Sequence, residues 1–203
     1  MLRSRLLGLV LASLPAVGAG SEADGHLRAG AAHFRAERFA EAVVEFKVAR
    51  ELGAGGECPW YIASALTRAG RSLEALEAFE QAEQEAASSS DALFLYYRGV
   101  ACAEQQLLVC AEAAFTRASS ASGPRVAEQA RRLAAEVRGV LSTEPPRSAI
   151  DALLGRAARE QERGRPRLAR LFAQEASALA AIRADLRRGS EAAHPADGGT
   201  VTR

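Results

Sequence analysis

Three times along this chain an alanine is followed four residues later by phenylalanine and three further on by a second alanine. The triplets are Ala42, Phe46, Ala49; Ala75, Phe79, Ala82; and Ala111, Phe115, Ala118, recurring at 33 and 36 residues. Offsets of four and three place all three side chains on one face of an α-helix. The alanines let a neighbouring helix approach closely, and the phenylalanine fills the space between them. Another small residue stands twelve positions before each first alanine: Gly30, Ala63 and Gly99. That distance suits the close crossing of two antiparallel helices. Gly70 falls between the two helices of the second unit, where a left-handed turn residue is wanted.

Composition agrees with helices. Alanine, leucine, arginine and glutamate dominate, and these side chains lose little rotamer freedom on a helical backbone. Aromatics make up 5% of the 203 residues, and β-branched residues never form an alternating run, so a sheet has little support. The expected class is all-α. Lys47 is the single lysine among 26 basic residues, and the net charge of +1 supports no polyanion partner, nucleic acid included. The charge is unevenly distributed. Positions 21–123 carry 9 basic and 15 acidic residues, while 124–188 carry 14 and 8. The two halves therefore differ by sign. This is either a field that steers a partner or a difference between solvated helix faces.

The recurring small–large–small pattern resembles the tetratricopeptide repeat family, whose unit is a helix–turn–helix of about 34 residues. Matching positions are the small residue of the first helix, the alanine opening the second, the following aromatic and the closing alanine. The resemblance covers about 23–123 in three units, 23–56, 57–90 and 91–123. It implies a right-handed superhelical solenoid of antiparallel helix pairs. The third unit is expected to carry two extra residues near Gln105 to Leu108. The family's aromatic at the end of the first helix is here His33, Leu66 and Cys102.

Beyond Ser122-Gly123-Pro124 the pattern blurs. Val126 to Leu141 reads as one helix, and Thr143-Glu144-Pro145-Pro146 breaks it. Ala149 to Gln161 and Pro166 to Leu186 read as a further hairpin about Gly164, with Ala157, Ala169 and Ala176 at repeat-like offsets. Positions 124–188 are thus expected to hold a degenerate repeat whose arginine-studded last helix caps the array. From Gly189 to Arg203 there is no apolar periodicity, and a disordered tail is expected.

The N-terminus reads as an address. Arg3 and Arg5 precede an apolar run from Leu6 to Leu14, Pro15 breaks it, and Val17-Gly18-Ala19 supplies small residues for a peptidase. Cleavage after Ala19 leaves a chain with no stable membrane span, since nine apolar residues fall short of roughly 30 Å of hydrocarbon. The competing reading is an uncleaved anchor or an amphipathic first helix. Export to the periplasm or the medium makes the three cysteines, Cys58, Cys102 and Cys110, worth a count. An odd number cannot all pair internally. Either Cys102 and Cys110 bridge the two helices of one hairpin, or all three are small buried hydrophobes.

By resemblance, the first helix of each unit lines a groove that takes a protein or peptide segment. The positions carried over are Leu27, Phe34 and Arg35; Trp60, Ser64 and Arg68; and Tyr96, Val100 and Glu104. Leu27, Trp60 and Tyr96 are equivalent and would form an apolar stripe flanked by Arg35 and Arg68, with apolar anchors for affinity and arginines for a carboxylate. The alternative is that Trp60 and the tyrosines pack between units. The sequence contains no phosphate loop, nucleophile elbow or HExxH, and His26, His33 and His194 have no ligand spacing. A non-catalytic interaction scaffold or adaptor without cofactor or metal is the expected function. A homo-oligomerising structural subunit of a cell-envelope complex is the competing one.

Overall fold

The structure, a computed structural model, describes residues 21–85, 91–121 and 124–193. The expected signal segment, 1–19, and the end of the expected tail, 194–203, lie outside the described residues. Among those described, all regular secondary structure is helical. The helices are α1 (Glu22–Arg35), α2 (Phe39–Glu51), α3 (Cys58–Arg68), α4 (Ser72–Glu85), α5 (Ala92–Glu104), α6 (Leu108–Ser120), α7 (Pro124–Leu141), α8 (Arg147–Glu162) and α9 (Pro166–Ala193). The starts are specified locally. Ser21 and Asp24 form a reciprocal capping box on α1, and the Asp91 carboxylate accepts from the Leu93 N–H at the start of α5. Both satisfy backbone donors that a helix leaves without partners. Proline opens α7 and α9, where its missing N–H costs nothing.

Two compact units divide the chain, one up to Val137 and one from Arg138. In the first, α1 packs on α2, α3 on α4 and α5 on α6, with further contacts of α2 with α3 and of α5 with α3 and α4. In the second, α8 packs on α9.

All four helix pairs turn in the same way. Each turn has three residues, the middle one left-handed: Glu37 (φ 58°), Gly70 (φ 73°), Gln106 (φ 61°) and Gly164 (φ 71°). In each, the residue after it donates its N–H to the carbonyl five residues back. The pairs are Arg38 to His33 (3.0 Å), Arg71 to Leu66 (2.9 Å), Leu107 to Cys102 (2.9 Å) and Arg165 to Glu160 (2.9 Å). This 6→1 bond closes a helix through a left-handed residue. Only two of the four positions hold glycine, so Glu37 and Gln106 carry the steric cost that a side chain meets there.

The nine alanines and phenylalanines of the triplets are all at most 1% exposed. Close approach is visible at two of the small residues before them. A Cβ on Gly30 would lie 2.6 Å from the Phe46 ring, and one on Gly99 would lie 2.6 Å from the Phe115 ring. At a separation inside van der Waals contact, only hydrogen fits. Ala63, at the equivalent position of the second pair, is fully buried.

The extra residues of the third unit are not near Gln105 to Leu108. From small residue to triplet the spacing is twelve in all three pairs, and the turn is identical. They are absorbed instead at helix ends. Relative to its small residue, α5 starts two residues earlier than α3, and relative to its closing alanine α4 ends one residue later than α2. Helix ends at a loop extend without disturbing the packed crossing, whereas an insertion in the turn would rotate one helix against the other.

Helix α7 buries Ala127, Ala130, Leu133, Ala134 and Val137, a single apolar stripe. In the second unit Leu153, Leu168, Phe172, Ala176 and Leu179 are buried. The phenylalanine of this pair stands three residues after Ala169, not four, and the Arg156 guanidinium lies 4.1 Å from its ring centre. The tail expected from Gly189 does not start there, because α9 continues to Ala193. Ser190, Glu191 and the two alanines after it add no apolar period, but all tolerate a helix that α9 has already nucleated.

Candidate interaction surface

The nine residues expected to line a groove divide into buried and accessible sets. Phe34, Trp60, Ser64, Tyr96 and Val100 are buried. Leu27 and Glu104 are half-buried, Arg68 is largely covered, and Arg35 is exposed.

The aromatic stripe is therefore interior packing. Trp60 is 1% exposed, with its ring 5.9 Å from Phe79 in its own pair and stacked at 5.9 Å on Phe94 of α5. Tyr96 occupies the equivalent place, also 1% exposed, 5.8 Å from Phe115. The interplanar angles to the two phenylalanines are 53° and 54°, so the same contact is built twice. Each is then covered by a later helix: Trp60 by α5, and Tyr96 by α7, whose Gln129 side chain donates to the Tyr96 hydroxyl at 2.9 Å. Rings of this size on a helix surface gain more from an apolar neighbour than from water. The sequence spacing correctly makes these positions equivalent, but equivalence does not say whether a next helix covers them.

Burial fixes the protonation of this layer. It pushes the Tyr96 hydroxyl up to about 12 and the Cys58 thiol up to about 11. It also raises Tyr97, against the opposing influence of Arg68. The Tyr61 hydroxyl is raised first by burial and then by its hydrogen bond to Glu57. All four stay neutral at physiological pH.

Arg68 is a cross-brace. Its guanidinium lies 4.5 Å from the centre of the Phe39 ring at the start of α2. Its Nη1 donates to the Tyr97 hydroxyl of α5 at 3.4 Å, and Nη2 is 4.0 Å from the Glu37 carboxylate. One side chain thus ties the turn of the first pair, the end of α3 and the side of α5. The expected arginine clamp is reduced to Arg35, in the last turn of α1. The Glu104 carboxylate likewise accepts from the Ser72 hydroxyl, linking α5 to α4.

Two charged clusters lie outside the expected site; the first joins residues far apart along the chain, the second residues within five positions of one another. Arg98 of α5 donates to Glu80 at 2.8 Å and to Glu83, both on α4, and Arg117 of α6 is 3.7 Å from Glu83. In the second unit Glu160 is 5% exposed and pairs with Arg163 (2.9 Å) and Arg165. Glu160 sits where the first three pairs have His33, Leu66 and Cys102, and that offset was a readable signal.

Cys102 and Cys110 are bridged, with Cα atoms 5.9 Å apart, joining the end of α5 to the start of α6. Cys58 is a buried free thiol that donates to the Phe46 carbonyl at 3.3 Å. No group of three or more metal-ligating side chains occurs among the described residues. No described helix is long and apolar enough to cross a membrane. Among the described residues the exposed large apolar side chains are Val44 and Leu52 in the first unit and Val140 and Leu154 in the second.

No known protein family, curated protein or solved structure matches this chain. What the residues themselves define is an all-helical protein of recurring helix pairs, with its aromatic residues spent on packing between pairs.

Proposed function

We propose that this chain is an exported, non-catalytic scaffold of tetratricopeptide type that holds a protein or peptide segment against the first helices of its repeats. The observation that carries this reading is the fourfold recurrence of one turn, with a left-handed residue and a 6→1 hydrogen bond at Arg38, Arg71, Leu107 and Arg165. A unit repeated in this way buries its apolar side against neighbours and presents equivalent outer positions in series. A right-handed solenoid is the arrangement such pairs adopt in the family the sequence resembles.

The contact surface consists of Leu27, Arg35 and Glu104, together with the uncovered edge of Arg68. Its chemistry is mixed in sign and modestly apolar, suited to a segment carrying both an apolar anchor and a carboxylate for Arg35. Three candidate acids and bases of the interior are engaged structurally: Tyr96 with Gln129, Tyr61 with Glu57, and Glu160 with two arginines. Export is supported by the three-part N-terminus and by the Cys102–Cys110 bridge, which persists in oxidising compartments.

The test uses the mature chain with a photo-reactive side chain at 27 or 35, and at Arg170 of α9 as control, exposed to an envelope extract. The reading expects one protein adduct at 27 and 35, absent at 170, and lost when Arg35→Glu is combined with the probe at 27. Equal adducts at all three positions, or none, would contradict it.

A further inference from the structure

In the first unit, the side of each pair that carries Trp60 or Tyr96 is covered by a later helix. The α8–α9 pair has the same turn, and counting from it places Leu154 where those aromatics stand. Leu154 is instead 50% exposed. Arg147, Asp151, Leu154, Ala158 and Gln161 follow one another at steps of four, three, four and three, so they share a face of α8. All five are exposed, as is Glu162 beside them, with Ile150 and Gly155 half-buried at the margins.

The charges on this face are ordered. Arg147 stands at one end and Glu162 at the other, and the middle is Leu154, Gly155 and Ala158. Arg147 is 4.0 Å from Asp151, with both side chains well exposed, so that pair is weak and easily exchanged. We propose that this face of α8 docks on the same face of a second copy of the chain, with the two helices antiparallel. A two-fold axis between Leu154 and Gly155 sets Arg147 against the second copy's Glu162 at both ends. It lays each Leu154 over the second copy's Gly155, which has no side chain of its own and is bordered by the Arg159 guanidinium, 3.5 Å from the place of a Cβ. It also sets Asp151 opposite Ala158, so that no like charges meet. A parallel arrangement would oppose Arg147 to Arg147. The charge order thus selects a second copy, and one orientation of it.

Sedimentation equilibrium of the mature chain over a wide concentration range tests this. A monomer–dimer equilibrium is expected. Leu154→Glu should abolish it, and Arg147→Glu should raise the dissociation constant by about tenfold or more, the equivalent of about 1.4 kcal/mol. The double variant Arg147→Glu, Glu162→Arg restores opposite charges across the axis and should recover wild-type association. All these side chains are exposed, so the melting curve of the isolated monomer should be unchanged. A wild-type monomer at every concentration overturns the proposal, as does a dimer indifferent to Leu154→Glu or a double variant as weak as Arg147→Glu. None of these outcomes touches partner capture at Leu27 and Arg35, which lie in the other unit.

Discussion

Helix α1 contains two glycines whose surroundings are opposite, and replacing each by alanine should move stability in opposite directions. At Gly25 an added Cβ meets nothing within 4 Å. The change only restricts the unfolded chain and improves helix propensity, which together stabilise by about 0.5–1 kcal/mol. At Gly30 the same Cβ lies 2.6 Å from two Phe46 ring carbons and 3.1 Å from a third. The ring cannot retreat freely, because Tyr61 stacks on it at 5.4 Å and Phe46 is 1% exposed. Overpacking of this kind costs about 1–3 kcal/mol, which outweighs the propensity gain. Gly30→Ala should therefore be destabilising by about 1 kcal/mol net, the difference between that cost and that gain. Urea unfolding of the protein, followed by circular dichroism, reads both variants through their midpoints at constant slope. A smaller side chain at 46 should relieve the clash, so Gly30→Ala with Phe46→Leu should cost less than the two single changes summed. A Gly30→Ala variant as stable as Gly25→Ala would refute the close crossing on which the repeat rests.

Other perturbations have equally definite signs. Gln106→Gly should stabilise and Gly70→Ala destabilise, each by about 1 kcal/mol, because both positions are left-handed and only glycine adopts that region freely; urea midpoints decide. Reducing the Cys102–Cys110 bridge reopens a loop with a sequence separation of 8, and the chain-entropy model gives a loss of about 2–3 kcal/mol. The comparison is thermal unfolding with and without reductant against Cys102→Ala, Cys110→Ala. Tyr96 has its hydroxyl raised by burial from 10.0 to about 12. The folded state therefore favours the neutral form, and that stability is intact below pH 10 and lost as pH rises from 10 towards 12. Tyr96→Phe should flatten the alkaline limb of the stability–pH curve in that window, and an unchanged slope would exclude burial as the cause.

The helical class and the packed positions were legible because they rest on local rules: residue propensity, a four-and-three offset, and glycine or proline at turns. Every alanine and phenylalanine of the triplets is buried, since that spacing leaves a helix no other way to present them. The left-handed conformations of Glu37 and Gln106 have no sequence signal, because glycine is the residue that marks such a turn. The place of the extra residues was hidden too, because identical turns show only in backbone hydrogen bonds. The candidate site was the least legible part. Trp60 and Tyr96 are equivalent by register, but whether an equivalent position faces solvent depends on Phe94 and Gln129, residues 34 and 33 positions further on. The same rule in reverse marks Leu154, which no later described helix of its unit covers.

Trp60 is the single tryptophan of the chain, so intrinsic fluorescence reports directly on the covering of one helix pair by the next. With the indole stacked on Phe94 and 1% exposed, emission from the native protein should be strongly blue-shifted and resistant to acrylamide. Phe94→Ala should move it to the red while helicity persists. Native emission at the wavelength of an indole in water, quenched by acrylamide as readily as in the urea-unfolded chain, would contradict the account and return Trp60 to the surface.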